Sequence, residues 1–262
     1  KKKKKEIEKK IKKEFKYLIQ NDVLYHHNAI GLNKFKNNVY NCNNQVDIAV
    51  LDTMKEEEKD FAHGNYILNI IQSKNKNFNL IHGILSNANL NFYNLSSKPN
   101  VKEVYNVLEK VIAKNPDVIN LSFGFQDISQ SPLDKLLKKA YAKDIIVVAS
   151  AGNNSNSFID YPANSPYTIS VGGVNKDFKR TAFGNYGENL DFTAPSQRIL
   201  TSNTKGDPTV IDGTSFGTAI ITAIVGAIKS KRPDYSLDEV KTLMKVCSKD
   251  LNEKGWDKCI AK

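Results

Sequence analysis

Three cysteines are all that the 262 residues carry. Cys42, Cys247 and Cys259 show no C-x-x-C spacing and cannot all pair within one chain, so neither a zinc site nor a disulfide framework is indicated. They read as core or incidental thiols. No apolar run reaches 18 residues, so no membrane-spanning helix is expected. Neither G-x-G-x-x-G nor G-x-x-x-x-G-K followed by Ser or Thr occurs, which removes the glycine-rich phosphate cradles of nucleotide and dinucleotide enzymes. The chain begins with Lys and not Met, so whether a signal peptide or propeptide precedes Lys1 stays open.

Acidic residues are in deficit, with 28 Asp and Glu against 38 Lys and Arg and a net charge of +10. The excess is local. Lys1 to Lys16 hold ten Lys and three Glu, a net of +7, with only Ile7, Ile11 and Phe15 as apolar anchors, so a solvated, frayed helix is the simplest reading of this segment. Nucleic acid has only that start to recommend it and is not an expected partner. Hydrophobic residues make up 40% of the chain, enough for one large α/β domain with a buried core.

From Val46 onward, short apolar runs alternate with helical patterns, the signature of a mostly parallel central sheet with helices on both faces. Strands are expected at VDIAVLD (46–52), ANLNFYNL (88–95), DVINLSF (117–123), DIIVVAS (144–150) and YTISVGGV (167–174). Between them, Val101, Val104, Leu108, Val111 and Ile112 share a helical face that Pro116 closes. Ser131 is expected to cap a helix with Pro132 at its first position, and Ser236 with Glu239 has the spacing of a capping box. No internal repeat appears. The simplest partition is residues 1–24 as an appendage and 25–262 as one domain.

Candidate chemistry gathers at element edges. Ser215, in DGTSFGTAIITAIVGAIKSKRP, opens a long apolar helix after a Gly that permits a tight entry. Free backbone N–H groups and the helix dipole there favour developing negative charge, although Thr214 or Ser215 serves equally well as a plain N-cap. Asp52 ends an apolar strand at the carboxyl edge of the sheet, where open α/β folds place their sites. His63 opens HGNYILNIIQ at a helix start. An Asp, a His and a Ser in that order, each at an edge, are what an activated hydroxyl nucleophile needs: a base to take its proton and a carboxylate to hold the imidazole.

AVLDT, AHGNYILNI and GTSFGTA resemble the Asp, His and Ser boxes of the subtilisin-like serine proteases. INLSFG, VVASAGNN, YPANSPYTISVGGV and FTAP resemble, in the same order, that family's substrate strand, oxyanion loop and downstream core. The resemblance runs from about Ala29 to Leu251. It implies a serine endopeptidase with Asp52, His63 and Ser215 as triad and the Asn153 amide, with the Ser215 backbone N–H, as oxyanion donors. Loss of one such donor costs about 10² to 10³ in rate, a figure that comes from subtilisin itself. It also implies that Ser122, Phe123 and Gly124 pair with an extended substrate, and that Ala151 and Gly152 wall the pocket for the residue before the cleaved bond.

His82 also precedes a Gly and lies nearer the family's usual separation from the Asp. A helix opening there would overrun ANLNFYNL, so His63 is preferred. The resulting Asp-to-His separation of 11 positions is too short for the insertion that carries a calcium ligand in relatives, and its acidic run, Glu56 to Glu58 and Asp60, reads as solvated loop charge. No cofactor is expected, with structural calcium elsewhere left open. The chain departs from the family pattern at Met54, Tyr66, Asn69 and Phe216, none of them a catalytic group. Asp160, just before Tyr161-Pro162, stands where relatives place the base of the specificity pocket, and a carboxylate there would favour Lys or Arg before the cleaved bond. The expected partner is a polypeptide, such as a precursor or leader peptide, acted on by a monomer. The competing expectation is a catalytically silent member that binds or regulates. The resemblance leans toward action outside the cytoplasm by association alone.

Overall fold

The computed structural model describes residues 25–30, 45–54, 62–72, 83–85, 88–126, 131–251 and a short strand at 258–259. The Lys-rich start, Cys42, the acidic connection and His82 lie outside the described residues. In chain order the elements are α1 (Tyr25–Ala29), β1 (Val46–Asp52), α2 (His63–Ile71), β2 (Ala88–Asn94), α3 (Val101–Ala113), β3 (Val118–Leu121), α4 (Leu133–Tyr141), β4 (Ile146–Ser150) and β5 (Thr168–Val174). They continue with β6 (Phe192–Pro195), β7 (Ile199–Ser202), β8 (Pro208–Ile211), α5 (Thr214–Lys231), α6 (Leu237–Cys247), β9 (Lys249–Asp250) and β10 (Lys258–Cys259).

The main sheet runs β2-β1-β3-β4-β5-β6, parallel throughout, and is continued by β10 and β9. Alternate strand residues feed two cores. Ile48, Val50, Val118, Ile146 and Val148 face α2, α5 and α6, whereas Ala49, Leu51, Ile119, Val147 and Ala149 face α3 and α4. Strands buried on both faces read as the near-continuous apolar runs seen in the sequence, and the three-layer α/β architecture is as expected.

β1 has the expected bounds, and the other expected strands differ by one or two residues at one end or both. β3 stops at Leu121, so Ser122 to Gly124 extend past the end of the ladder. The Ser131 hydroxyl does accept from Leu133 N at 3.2 Å, but Pro132 already has helical angles (φ −58°, ψ −20°) and the helix is counted from Leu133. Asn100 caps α3 through Glu103 N, and Ser236 with Glu239 forms the expected capping box on α6.

The far end of α5 is fastened by Lys229. This side chain, 3% exposed, donates its three ammonium protons to the carbonyls of Asp144 (3.2 Å), Pro233 (2.7 Å) and Tyr235 (3.0 Å). Burial lowers its pKa below the usual 10.5. Replacing Lys229 with Met is expected to cost about 1 to 3 kcal/mol in urea unfolding, because three carbonyls lose their donor. The unfolded chain holds the Lys229 proton more tightly than the folded one, so the parent gains stability relative to Lys229→Met as pH rises toward 10.5. Equal midpoints at pH 7 would contradict this role.

Candidate active site

Asp52 closes β1 at the carboxyl edge and is 5% exposed. Its Oδ1 accepts from Thr53 N at 2.7 Å, and its two oxygens lie 2.8 and 2.9 Å from His63 Nδ1. An ionised carboxylate can only accept, so Nδ1 carries the proton and Nε2 is left as the basic nitrogen. The helix bearing His63 is docked to the end of β1 by Gly64 N donating to Thr53 O at 2.9 Å. On its other side Asn65 and Asn69 donate to Ser202 O at 3.2 and 3.0 Å, while Tyr66, Ile67, Ile70 and Ile71 are buried. Asn69, a departure from the family pattern, therefore ties α2 to β7.

Ser215 sits in the first turn of α5, behind Gly213 at φ 150° and ψ 146°, a conformation that disfavours any side chain. Its Oγ donates to Ser122 O at 2.9 Å and makes no hydrogen bond to His63. The Ser122 hydroxyl is shared between Ser215 O (3.2 Å) and Asn120 Oδ1 (2.9 Å), and Asn120 Nδ2 donates to Thr222 Oγ1 at 2.8 Å inside the core. A polar thread thus fixes the start of α5 against β3. Phe216, next in sequence, puts its ring 5.5 Å from the His63 ring and 6.3 Å from that of Tyr66. Moving the Ser215 proton to His63 requires the hydroxyl to leave Ser122 O, and hydrogen bonds of this kind commonly tighten only with substrate present.

Asn153 follows β4 on an exposed loop. Its Oδ1 accepts from both Thr214 N and Thr214 Oγ1 at 2.9 Å. With the oxygen so engaged, the amide cannot flip without losing two bonds, and Nδ2 is the end turned away from Thr214, near Gly213. Thr214, read in the sequence only as a cap, is therefore what orients the Asn153 amide. The loop turns at Gly152, whose φ of 106° is left-handed and where a Cβ would run into Asn185 Nδ2 and Asp160 Oδ2.

Asp160 is 6% exposed, and a Cβ added to Gly124 would fall 2.7 Å from Asp160 Cβ. The carboxylate therefore lies between Gly124 and Gly152, two residues expected to bind substrate. The segments carrying them are joined by a bridge between Phe125 and Tyr161, with N to O distances of 2.6 and 2.9 Å. Ala151 is fully buried behind this wall. Tyr161 donates to Asp134 Oδ1 at 3.0 Å, and burial pushes its phenol well above the usual range. Asn185, 1% exposed, meets this wall and went unread in the sequence, where FGNYG signals no more than a turn. Among the described residues, no group of three His, Cys, Asp or Glu side chains could hold a metal ion, and no helix is long and apolar enough to cross a membrane.

A family model described as the subtilase family matches residues 17–260. Subtilisin NAT of Bacillus subtilis subsp. natto is 30% identical over 187 residues, which are 69% of this chain and 49% of that protein. The cell wall-associated protease of Bacillus subtilis (strain 168) is 27% identical over 201 residues, 76% of this chain and 22% of that one. The chain spans about half the length of the curated subtilisins it matches. Among solved structures, the prenylagaramide maturation protease PagA superposes with a TM-score of 0.72 at 20% identity, over 86% of this chain and 90% of that one. A cold-adapted subtilisin-like serine proteinase gives 0.70 at 20% identity over 82% and 88%. The protease domain of PatA gives 0.72 at 18% identity over 82% and 91%. These last three likenesses concern the fold.

The Asp52–His63 pair has a direct readout that needs no substrate. Proton NMR of the parent should show a strongly downfield Nδ1–H resonance that disappears in Asp52→Ala. A spectrum unchanged by that substitution would contradict the pairing.

Proposed function

Because the chain belongs to the subtilase family, we propose that it is a serine endopeptidase working through Ser215. The observation that carries this reading is the His63 Nδ1–Asp52 pair at 2.8 Å, which leaves Nε2 basic beside the turn that bears Ser215. Nε2 takes the Ser215 proton as Oγ attacks the substrate carbonyl. Asp52 holds the tautomer and stabilises the imidazolium. The oxyanion is met by Asn153 Nδ2 and the Ser215 N–H, at a helix start whose dipole favours negative charge. His63 returns the proton to the leaving amine, and water then releases the acyl group by the same route.

An extended substrate pairs with Ser122 to Gly124, and the side chain before the cleaved bond enters between Gly124 and Gly152 toward Asp160. A buried carboxylate there selects Lys or Arg, since a cationic side chain can give it a charge-assisted hydrogen bond that an apolar one cannot. A role in processing a precursor or leader peptide is supported by the likeness to PagA, a maturation protease by name. A silent, binding member is the other reading. It is favoured by the Ser215 hydroxyl donating to Ser122 O and not to His63.

Matched peptides with Arg, Lys, Phe or Leu before the cleaved bond separate these readings. Cleavage is expected to favour Arg and Lys, to vanish in Ser215→Ala, and to lose about tenfold to hundredfold of that preference in Asp160→Ser. Equal or better cleavage after Phe or Leu rejects the role of Asp160. Cleavage that survives Ser215→Ala, or is absent in the parent, rejects the nucleophile. In Asn153→Ala, kcat is expected to fall about 10² to 10³ with KM little changed.

A further inference from the structure

Asn185 follows Gly184 in the irregular segment after the turn at Ala182 and Phe183 and is 1% exposed, yet every polar atom of its side chain is engaged. Nδ2 donates to Ala151 O and to Asp160 Oδ1, both at 3.0 Å. Oδ1 accepts from Asn154 N at 2.9 Å and Asn156 N at 3.0 Å. Its own backbone N donates to Gly152 O at 3.0 Å. The residue is thus bonded to the neighbours on both sides of Asn153 and to the carboxylate at the pocket base. Two further bonds, Ser155 N to Phe183 O at 2.8 Å and Tyr186 N to Asn156 O at 3.0 Å, hold the two loops together around it.

We propose that Asn185 is a positioning residue that sets two functions at once: the placement of Asn153 for the oxyanion and the orientation of Asp160 for a cationic substrate side chain. The proposal rests on the endopeptidase reading above. An amide suits the position because it alone among similar-sized side chains offers two donors and two acceptors. The donor half faces a carbonyl and a carboxylate, and the acceptor half faces two backbone N–H groups. The amide bonds Asp160 Oδ1 and so sets the plane of the carboxylate, whose Oδ2 lies on the Gly152 side. Such a fully satisfied buried polar group is rigid, and its loss leaves several partners unpaired together.

The two halves separate by substitution. Asn185→Asp is near-isosteric and keeps the acceptor half, but sets a second carboxylate oxygen against Asp160 and Ala151 O. Asn185→Ala removes both halves. The expected result for Asn185→Asp is a fall of about tenfold in the Arg-over-Leu ratio of kcat/KM, with a smaller loss of kcat on the Leu peptide than Asn185→Ala suffers. Double-mutant cycles carry the decision. The selectivity effect of Asn185→Asp should vanish in an Asp160→Asn background, and the kcat effect of Asn185→Ala should vanish in an Asn153→Ala background. Effects that simply add in both backgrounds, or variants that lose thermal stability while kcat and selectivity hold, would overturn the proposal. If Asp160→Asn alone leaves selectivity unchanged, the pocket reading fails by itself, and the Asn153 cycle still decides for or against Asn185.

Discussion

Helix α5 passes through the interior with only Ile228 and Lys231 outside the buried class. Such a helix cannot shift without carrying its neighbours, because it packs on β1, β3, β4, β5, β6 and α2. Each buried Ile along it contributes ~1.5–3 kcal/mol. Two of its threonines are satisfied within the helix: Thr218 and Thr222 donate back to the carbonyls of Thr214 and Thr218, both at 2.8 Å. Lys229 anchors the far end, so the near end, with Thr214 and Ser215, is held at the carboxyl edge of the sheet. Asp52 and Asn153 reach the same edge because β1 and β4 run parallel to each other across β3. Their meeting at one edge is a consequence of strand direction and one buried helix.

The departures from the family pattern have a shared physical basis. Tyr66 and Phe216 come from different boxes yet meet edge to face at 6.3 Å, with Phe216 also against His63. An aromatic pair contributes about 0.5–1.5 kcal/mol beyond the area it buries. It here backs the imidazole with side chains that cannot form a thioether oxide. Asn69, by bonding Ser202, braces the same helix from the β7 side. His63 is thus held by contacts that differ from the usual box while leaving its pairing to Asp52 untouched.

β1, β3, β4 and β5 were legible because parallel strands buried on both faces must be apolar throughout, and α3 because Val104, Leu108, Val111 and Ile112 repeat at helical spacing. β6, β9 and β10 carry no such run. Strand ends were less so, since Ser122 to Gly124 look like strand in composition but leave the ladder. Asp52, His63 and Ser215 could be picked out because each sits at an element edge. Asn185 and the orienting use of Thr214 could not, for both act through hydrogen bonds to residues 25 to 62 positions away, which no local pattern encodes. Asp160 stands out in the sequence by its place before a Tyr-Pro pair, but its burial between Gly124 and Gly152 depends on two loops meeting in space.

The central claim is that one hydroxyl, at the start of the buried helix, is activated by the Asp52–His63 pair. Reaction with a fluorophosphonate followed by peptide mapping addresses it most directly, since only an activated nucleophile near an oxyanion site reacts readily. The account predicts a single adduct on Ser215, formed at full stoichiometry in the parent and strongly slowed in His63→Ala. No adduct, or one on another residue with Ser215 unmodified, would contradict it.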